Sequence, residues 1–550
     1  MLNLRSEQKN KNLIKEQKGK ERICSFVSFY AFVKIWIICC IALAVFYATA
    51  YSGHILWQEQ NQIFLNEAHW AGTYFHKPAW LACLGGEWLT QFYNNVWCGA
   101  GIQALAIALC GILFARAAFR LLPNVVSWIT SALFALLMAA SSMPASTSLA
   151  FFICIAGGLS LSLIRININS RPDRPANLSP LLVFPAYWLF GFGAILTALL
   201  AILFAIKNVG IKRINAWSAT AICALVFLLG FPAMLHRTYG LPYAKALLYP
   251  GPTKPSLPQF KFEERLEIAD AFYNRDYEKT KQTALDAESP DDITAFYYYL
   301  SNAVQDSLPD NLLKYPLKSL GTLTTIGDTS PVPVINMMND LYYELGDMTY
   351  AERAAMMRNV FSPRNRNVRM IKRLAEINLV SRDTLAALKY LRILDSTHAY
   401  SAWSRQHLPG KMPTEIESDI LRRRSFSNNK DNIRLGDNCR NIILELLESN
   451  PKNTIALDYL LCTDLLLKDM DTFKMDYDTY CMEKGNPRLK DLYQQALMIY
   501  LAGTNAPQEE WERYIVPGPQ TELFNRYSSR RGDPSFRHTY WYYFDKQRPL

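Results

Sequence analysis

The sequence predicts an all-α protein: a polytopic helical membrane domain followed by an α-helical repeat array. Three observations predict it. Six stretches of roughly membrane-spanning length, nearly free of charge, lie within the first 239 positions. Beyond a proline-rich hinge the pattern changes to amphipathic helical periodicity, with strand-like alternation almost absent. The charge divides at the same place: residues 1–239 carry 18 Lys and Arg against 7 Asp and Glu, whereas residues 240–550 carry 40 against 41. The net charge of +10 therefore belongs to the apolar half, and it describes no face for nucleic acid. Half of the 550 residues are hydrophobic, enough apolar surface to exclude global disorder.

Residues 1–30 open the chain with Arg5, Lys9, Lys11, Lys15, Lys18, Lys20 and Arg22. The first apolar run ends in Ala48-Thr49-Ala50, which looks like a signal-peptidase site. The basic lead is long and the run near full span length, so the reading is an uncleaved signal-anchor with a cytoplasmic N-terminus. The membrane domain, residues 31–239, has its runs at 31–51, 96–115, 125–142, 147–164, 181–206 and 214–235. In lipid the backbone must satisfy its own hydrogen bonds, so each is expected to be a helix.

Alternation places Arg116, Arg120, Arg165, Arg171 and Arg174 inside, as the positive-inside rule asks, but Lys207, Lys212 and Arg213 outside. A double crossing within 179–206 would remove the conflict, yet 28 residues of helix reach only about 42 Å, too short for two passages of about 30 Å. A broken or re-entrant helix at Pro185 or Gly191-Phe192-Gly193 is the other way out. The side of the C-terminal half stays open: six crossings put it in the cytoplasm, an odd number outside.

The first loop, residues 52–96, holds Trp57, Trp70, Trp80 and Trp88, with Trp97 at its edge. Amphipathic rings favour the membrane–water interface. Pro78 opens an expected helix with Trp80, Leu81, Leu84, Trp88, Leu89 and Phe92 on one side and Glu87, Gln91 and Asn95 on the other, the pattern of a helix lying in the interface. Acidic residues just past a first span have a functional reading, since polytopic glycosyltransferases that use lipid-linked donors place a carboxylate there as base or metal ligand. Glu59 and Glu87 are the candidates; the plainer reading is a wet juxtamembrane surface. His54, His69 and His76 have no metal-site spacing, and no metal or cofactor is assigned. Cys83 and Cys98 could pair outside the cell or stay as buried thiols.

Residues 249–258 form the hinge, Tyr249-Pro-Gly-Pro-Thr-Lys-Pro-Ser-Leu-Pro258. In residues 259–515 helices are expected at 263–273, 277–287, 293–305, 335–345, 350–360, 367–379, 383–394, 438–447, 455–467, 472–482 and 488–500. Asp291, Asp292 and Asp383 are the N-cap candidates. Tyr342-Tyr-Glu-Leu-Gly-Asp347 before Ala351, and Asn450-Pro-Lys-Asn453 before Ala456-Leu-Asp-Tyr459, give the turn-plus-helix openings of tetratricopeptide-like (TPR-like) pairs. An irregular all-α domain is the alternative. The tail, 516–550, carries His538-Thr-Tyr-Trp-Tyr-Tyr-Phe544, too aromatic to hang free, and is expected to dock on the last repeat or the membrane surface. Arg422-Arg-Arg424 and Arg530-Arg531 read as solvated faces, the first with an option on anionic lipid. No Walker loop, kinase signature, nucleophile elbow or His-Glu-x-x-His motif is present.

Glu59-Gln-Asn-Gln-Ile-Phe-Leu65 and Leu84-Gly-Gly-Glu-Trp-Leu-Thr-Gln-Phe92 resemble first-loop motifs of an uncharacterised bacterial family of multi-pass membrane proteins with a TPR-like C-terminal half. Asn450-Pro-Lys-Asn453 with 456–469, Pro487-Arg488 with Tyr493-Gln-Gln-Ala496, and Tyr540-Trp-Tyr-Tyr543 are similar to its C-terminal pattern. The chain departs at Leu84, where that pattern has a proline. The resemblance implies the architecture and a bacterial inner-membrane location, and brings no activity. Two functions are carried forward. One is a membrane-anchored scaffold whose helical array docks a protein partner, with membrane lipid around its anchor. The other is a transferase acting on a lipid-linked sugar or lipid at the first loop, through Glu59 or Glu87.

Overall fold

The computed structural model describes residues 2–169, 180–209, 214–251, 253–287, 290–316, 319–320, 323, 332–428, 439–486 and 488–550. Arg171, Arg174, Lys212, Arg213 and Pro487 lie outside the described residues. The described chain is all-α, with no strand among those residues. It divides into two compact units, one of residues 1–263 with 396–399, the other of residues 264–395 with 400–550.

Unit 1 opens with α1 (Leu2–Thr49), followed by α2 (Ser52–Gln60), α3 (Ala68–Gly72) and α4 (Trp80–Thr90). Then come α5 (Val96–Leu121), α6 (Asn124–Ser141), α7 (Leu149–Asn169), α8 (Val183–Phe190), α9 (Gly193–Val209), α10 (Ile214–Tyr239) and α11 (Tyr243–Leu247). Among the described residues four segments are long and apolar enough to cross a membrane: Phe26–Thr49, Val96–Leu121, Asn124–Ser141 and Ala221–Tyr239. Leu149–Leu163 and Gly193–Lys207 are shorter apolar helices. The expected span 181–206 is not continuous. Gly191 takes a left-handed φ of +54°, and a Cβ there would lie 2.1 Å from the Tyr249 carbonyl, so the chain breaks at Gly191–Phe192.

Side-chain contacts sort the helix ends of unit 1 into two groups. Phe29 meets Phe119 (6.1 Å) and Trp36 donates to the Ala108 carbonyl (3.1 Å), so α1 runs antiparallel to α5, while Tyr47 donates to Ser142 Oγ (2.5 Å) at the end of α6. At the α5 C-terminus, Lys207 Nζ donates to the carbonyls of Arg120 (2.6 Å) and Leu121 (3.1 Å), bringing the end of α9 beside the end of α5. The opposite end collects the chain after α10. Tyr239 donates to the His76 carbonyl (3.2 Å), Ser256 N to the Ala140 carbonyl (3.0 Å), and Gln259 N to the Tyr51 hydroxyl (3.2 Å). Residues 239–263 therefore lie at the first-loop end.

Glycines set the spacing inside this bundle. A Cβ on Gly158 of α7 would stand 2.2 Å from the Gly193 carbonyl of α9, and one on Gly86 of α4 2.7 Å from Ala150 N of α7. These are backbone-to-backbone approaches that a side chain would force apart. The face of α4 that packs is its small one, Ala82, Cys83, Gly86 and Thr90, while Leu81 and Trp88 stay exposed. Gln91, expected on the outer side, is buried.

Across and beyond the unit boundary run α12 (Phe260–Tyr273), α13 (Tyr277–Asp286), α14 (Asp292–Val304), α15 (Leu308–Asn311), α16 (Val332–Leu345), α17 (Met348–Val360), α18 (Val368–Val380), α19 (Thr384–Asp395), α20 (Ser401–Gln406) and α21 (Thr414–Phe426). The remainder of unit 2 is α22 (Cys439–Ser449), α23 (Thr454–Leu467), α24 (Met470–Tyr477), α25 (Asp491–Gly503), α26 (Gln508–Tyr514), α27 (Pro519–Ser529) and α28 (Tyr540–Lys546). Asp291 Oδ1 accepts from Ile293 N and Thr294 N, and Asp383 Oδ1 from Ala386 N, as the cap positions predict. Asp347 and Asn453 cap α17 and α23 in the same way. Gly346, at φ +94°, turns α16 into α17 where a Cβ would meet the Phe426 carbonyl at 2.6 Å.

Buried charge ties these helices together. Asp340 (α16) pairs with Arg369 (2.8 Å) and Arg373 (3.0 Å) of α18; Glu344 (α16) pairs with Arg423 of α21 (2.7 Å). Asp458 (α23) pairs with Arg488 (2.5 Å), which also reaches Asp306 (2.6 Å). The expected solvated face Arg422-Arg-Arg424 is thus partly internal: Arg423 is buried, and Arg424 donates to the carbonyls of Leu379 and Val380 at the end of α18. That is the favourable place for a cation on a helix.

Candidate functional site

An isolated helix of nine residues is marginal in water, so α2 exists by packing. Its polar residues His54, Gln58, Glu59 and Gln60 are all buried. Ile55 seats it on α5, where a Cβ on Gly99 would come within 2.5 Å of Ile55 Cγ2. At the next position inward, the His54 backbone N–H donates to Glu263 Oε1 at 2.8 Å. The Gln58 amide donates to His54 Nε2 at 2.8 Å. Burial pushes the His54 imidazolium down to about 4, so the ring is neutral at ordinary pH and accepts that bond.

Around the ring stand Tyr51 and Tyr47, with centroids at 5.1 and 6.0 Å. Tyr51 accepts from Gln259 N and donates to the Met143 carbonyl (3.1 Å), and burial raises its hydroxyl above the ordinary tyrosine range. Tyr93 donates to Gln103 Oε1 at 2.8 Å. Two amide atoms of this layer, Gln58 Oε1 and Gln103 Nε2, are buried without a hydrogen-bond partner. Buried polar groups of this kind are matched by water or ligand in most proteins. The first-loop end of unit 1 is therefore a polar, hydrogen-bonding layer, the Glu263 carboxyl included, set among apolar helices.

The predicted acids sit at its edge. Glu59 is buried on α2; Glu87 is half-buried on α4, where its carboxylate accepts the Tyr74 hydroxyl. Gln62 joins the two through their backbones, its N–H donating to the Glu59 carbonyl (3.3 Å) and its amide to the Glu87 carbonyl (3.2 Å). The three loop histidines are not brought together: His54 is buried, while His69 and His76 are exposed. Among the described residues no group of three or more His, Cys, Asp or Glu is placed to hold a metal ion. Cys83 and Cys98 are both free thiols, the first buried and the second exposed. Glu263, Tyr93 and Gln103 carried no signal in the sequence. The contact of Glu263 with His54 spans 209 positions, and no local spacing announces such a pair.

Fold and site together define an all-α protein with apolar helices of membrane-crossing length and a second, ion-paired helical unit. The chain belongs to a family of unknown function, DUF6057, whose model matches residues 28–547. No curated protein and no solved structure matches it.

Proposed function

We propose that this is a multi-pass inner-membrane protein that holds a helical-repeat scaffold outside the cytoplasm, where the array docks a protein partner. The carrying observation is the seat of Lys207 on the Arg120 and Leu121 carbonyls. It puts the basic end of α9 with the basic end of α5, so Lys207 joins Arg116 and Arg120 at one end, as the positive-inside rule asks. The break at Gly191–Phe192 lets 181–209 enter and return to the same end. Only α1, α5, α6, α7 and α10 then cross, an odd number, and the hinge emerges with the first loop. Apolar side chains turned outward on these helices, such as Ile38, Leu105, Val125 and Val226, support lipid as their surroundings.

The scaffold role is supported by the buried ion pairs between helices of unit 2, which hold a binding surface in shape before a partner arrives. A reporter fused at Leu550 tests the placement. Activity of an enzyme that works only outside the cytoplasm is expected, and activity of a cytoplasmic reporter there refutes the reading. Co-purification from mild detergent tests docking: a stoichiometric partner should be lost when 264–550 are deleted, and no partner at all counts against the scaffold.

The buried polar layer supports a second reading, a transferase for a lipid-linked sugar or lipid at the first loop. Under it, Glu59→Gln, nearly isosteric but uncharged, abolishes the phenotype of the wild-type gene at unchanged expression. A wild-type phenotype removes Glu59 from the chemistry.

A further inference from the structure

Three consecutive helices of unit 2 meet at an unbalanced charge. Arg440 of α22 spreads its guanidinium between two carboxyls, with Nη1 2.6 Å from Asp464 Oδ1 of α23 and Nη2 2.5 Å from Asp476 Oδ2 of α24. Both acids are nearly inaccessible, with side chains 2% and 5% exposed. One cation against two buried carboxylates leaves a negative charge that the interior would have to hold uncompensated. The second oxygen of Asp464, Oδ2, is buried with no hydrogen-bond partner. Asp469, at the cap of α24, faces Asp464 and Arg440; Tyr480, just after α24, faces Asp476, Arg440 and Glu448 of α22, and Tyr540 of α28 faces Asp464.

We propose that Asp464 and Asp476 form a proton-binding site, holding one proton between them on the Asp464 carboxyl, and that its loss in mild alkali loosens the packing of α22, α23 and α24. With the proton in place the cluster is a neutral carboxylic acid beside a one-to-one Arg440–Asp476 pair. The neutral acid has a donor for Asp476, which lies within its hydrogen-bonding reach. Without the proton, two anions share one guanidinium. The ligand is the proton itself, and the switch is the junction of these helices.

The electrostatics agree in direction. Burial pushes the Asp464 carboxyl well above the usual carboxylate range, with Arg440 opposing and Asp476 and Asp469 reinforcing. A carboxyl held above its unfolded value of 3.8 binds its proton in the folded chain and not in the unfolded one across the interval between them. Its contribution to stability is complete at and below the lower limit and is lost as pH rises through the upper one. On an array facing outward, as proposed above, the medium would set this state; the site itself rests on unit 2 alone.

The test uses the full chain in mild detergent and follows unfolding in urea from about pH 6 to about pH 9, bracketing the interval in which such a carboxyl titrates. Wild type is expected to lose folded population faster with rising pH than Asp464→Asn, by up to about tenfold per pH unit at the steepest point. Asp458, which burial also raises, to about 6, is present in both chains and drops out of the comparison. Difference infrared spectra should show a carboxylic-acid C=O stretch that is lost between about pH 7 and about pH 9, above the titration of Asp458, and that is missing over this interval from Asp464→Asn. Should that variant fail to fold, Asp476→Asn carries the same expectation, because it too leaves one carboxylate for one guanidinium. Equal slopes in wild type and the folded variants, or no titrating carboxylic-acid band in wild type, overturn the proposal.

Discussion

Replacing Asp340 by alanine is expected to destabilise unit 2 by about 3–5 kcal/mol, the usual cost of stripping the partner from a buried charge. Two cations depend on this one carboxylate. Oδ2 accepts from Arg369 and Oδ1 from Arg373, and the Tyr297 hydroxyl donates to Oδ2 at 3.0 Å. Asp340 is fully buried and both arginines nearly so. Glu376 still pairs with Arg373 at 3.0 Å, and the Tyr273 ring lies 4.2 Å from the Arg369 guanidinium carbon, so each cation keeps some company. Neither substitute restores the lost charge to the centre of the α16–α18 contact. Urea unfolding of the full chain, with hydrogen exchange of peptides from α16 and α18 as the local readout, should show the loss there first. A loss under about 1 kcal/mol would mean that the pair behaves as an exposed one. Asp340→Ala combined with methionine at both arginines should recover much of the loss, since a buried ion pair is often replaceable by apolar packing.

Such pairs mark where reading from sequence stopped. The helices of unit 2 were legible because amphipathic period and caps are local: the acid at Asp291 and the Gly-Asp turn at 346–347 each announce a start within four residues. Helices α20, α21, α26 and α27 were not expected; α20 and α26 are only six and seven residues long, too short for a period to show. Arg369 and Arg373 carry no local signal of their role, because their partner lies some 30 positions away on another helix. In unit 1 the apolar runs were plain, but charge counting alone could not fold 181–206 back on itself. That required the Gly191 conformation and the reach of Lys207 to the end of α5. At the first loop the sequence singled out Glu59 and Glu87 by kind and place. The polar layer beside them draws on Tyr93, Gln103 and Glu263, whose roles arise only from distant approach.

Trp541→Ala is expected to cost unit 2 about 3–5 kcal/mol, the range for removing a fully buried large aromatic side chain. The tail was expected to dock on the last repeat or on the membrane surface, and α28 in fact lies within unit 2 on the helices that precede it. Trp541 is 1% exposed and its indole donates to the Gln495 carbonyl of α25 at 2.9 Å. On either side Tyr540 donates to the Leu465 carbonyl (2.9 Å) and Tyr543 to the Leu466 carbonyl (2.7 Å), both in the last turn of α23. Lys468, just beyond that turn, donates to the Phe544 carbonyl at 2.7 Å. These bonds satisfy carbonyls that a helix end leaves open, so the aromatic segment covers the end of α23 within unit 2. Truncation at Trp541 empties the centre of that segment, and its hydroxyl-bearing neighbours lose their registration. Limited proteolysis should then release the segment after α27, and hydrogen exchange should rise in α23 and α25 while α16 and α18 keep their protection. A chain whose α23 and α25 stay protected after Trp541→Ala would show the tail to be a passenger on a finished fold rather than its last structural layer.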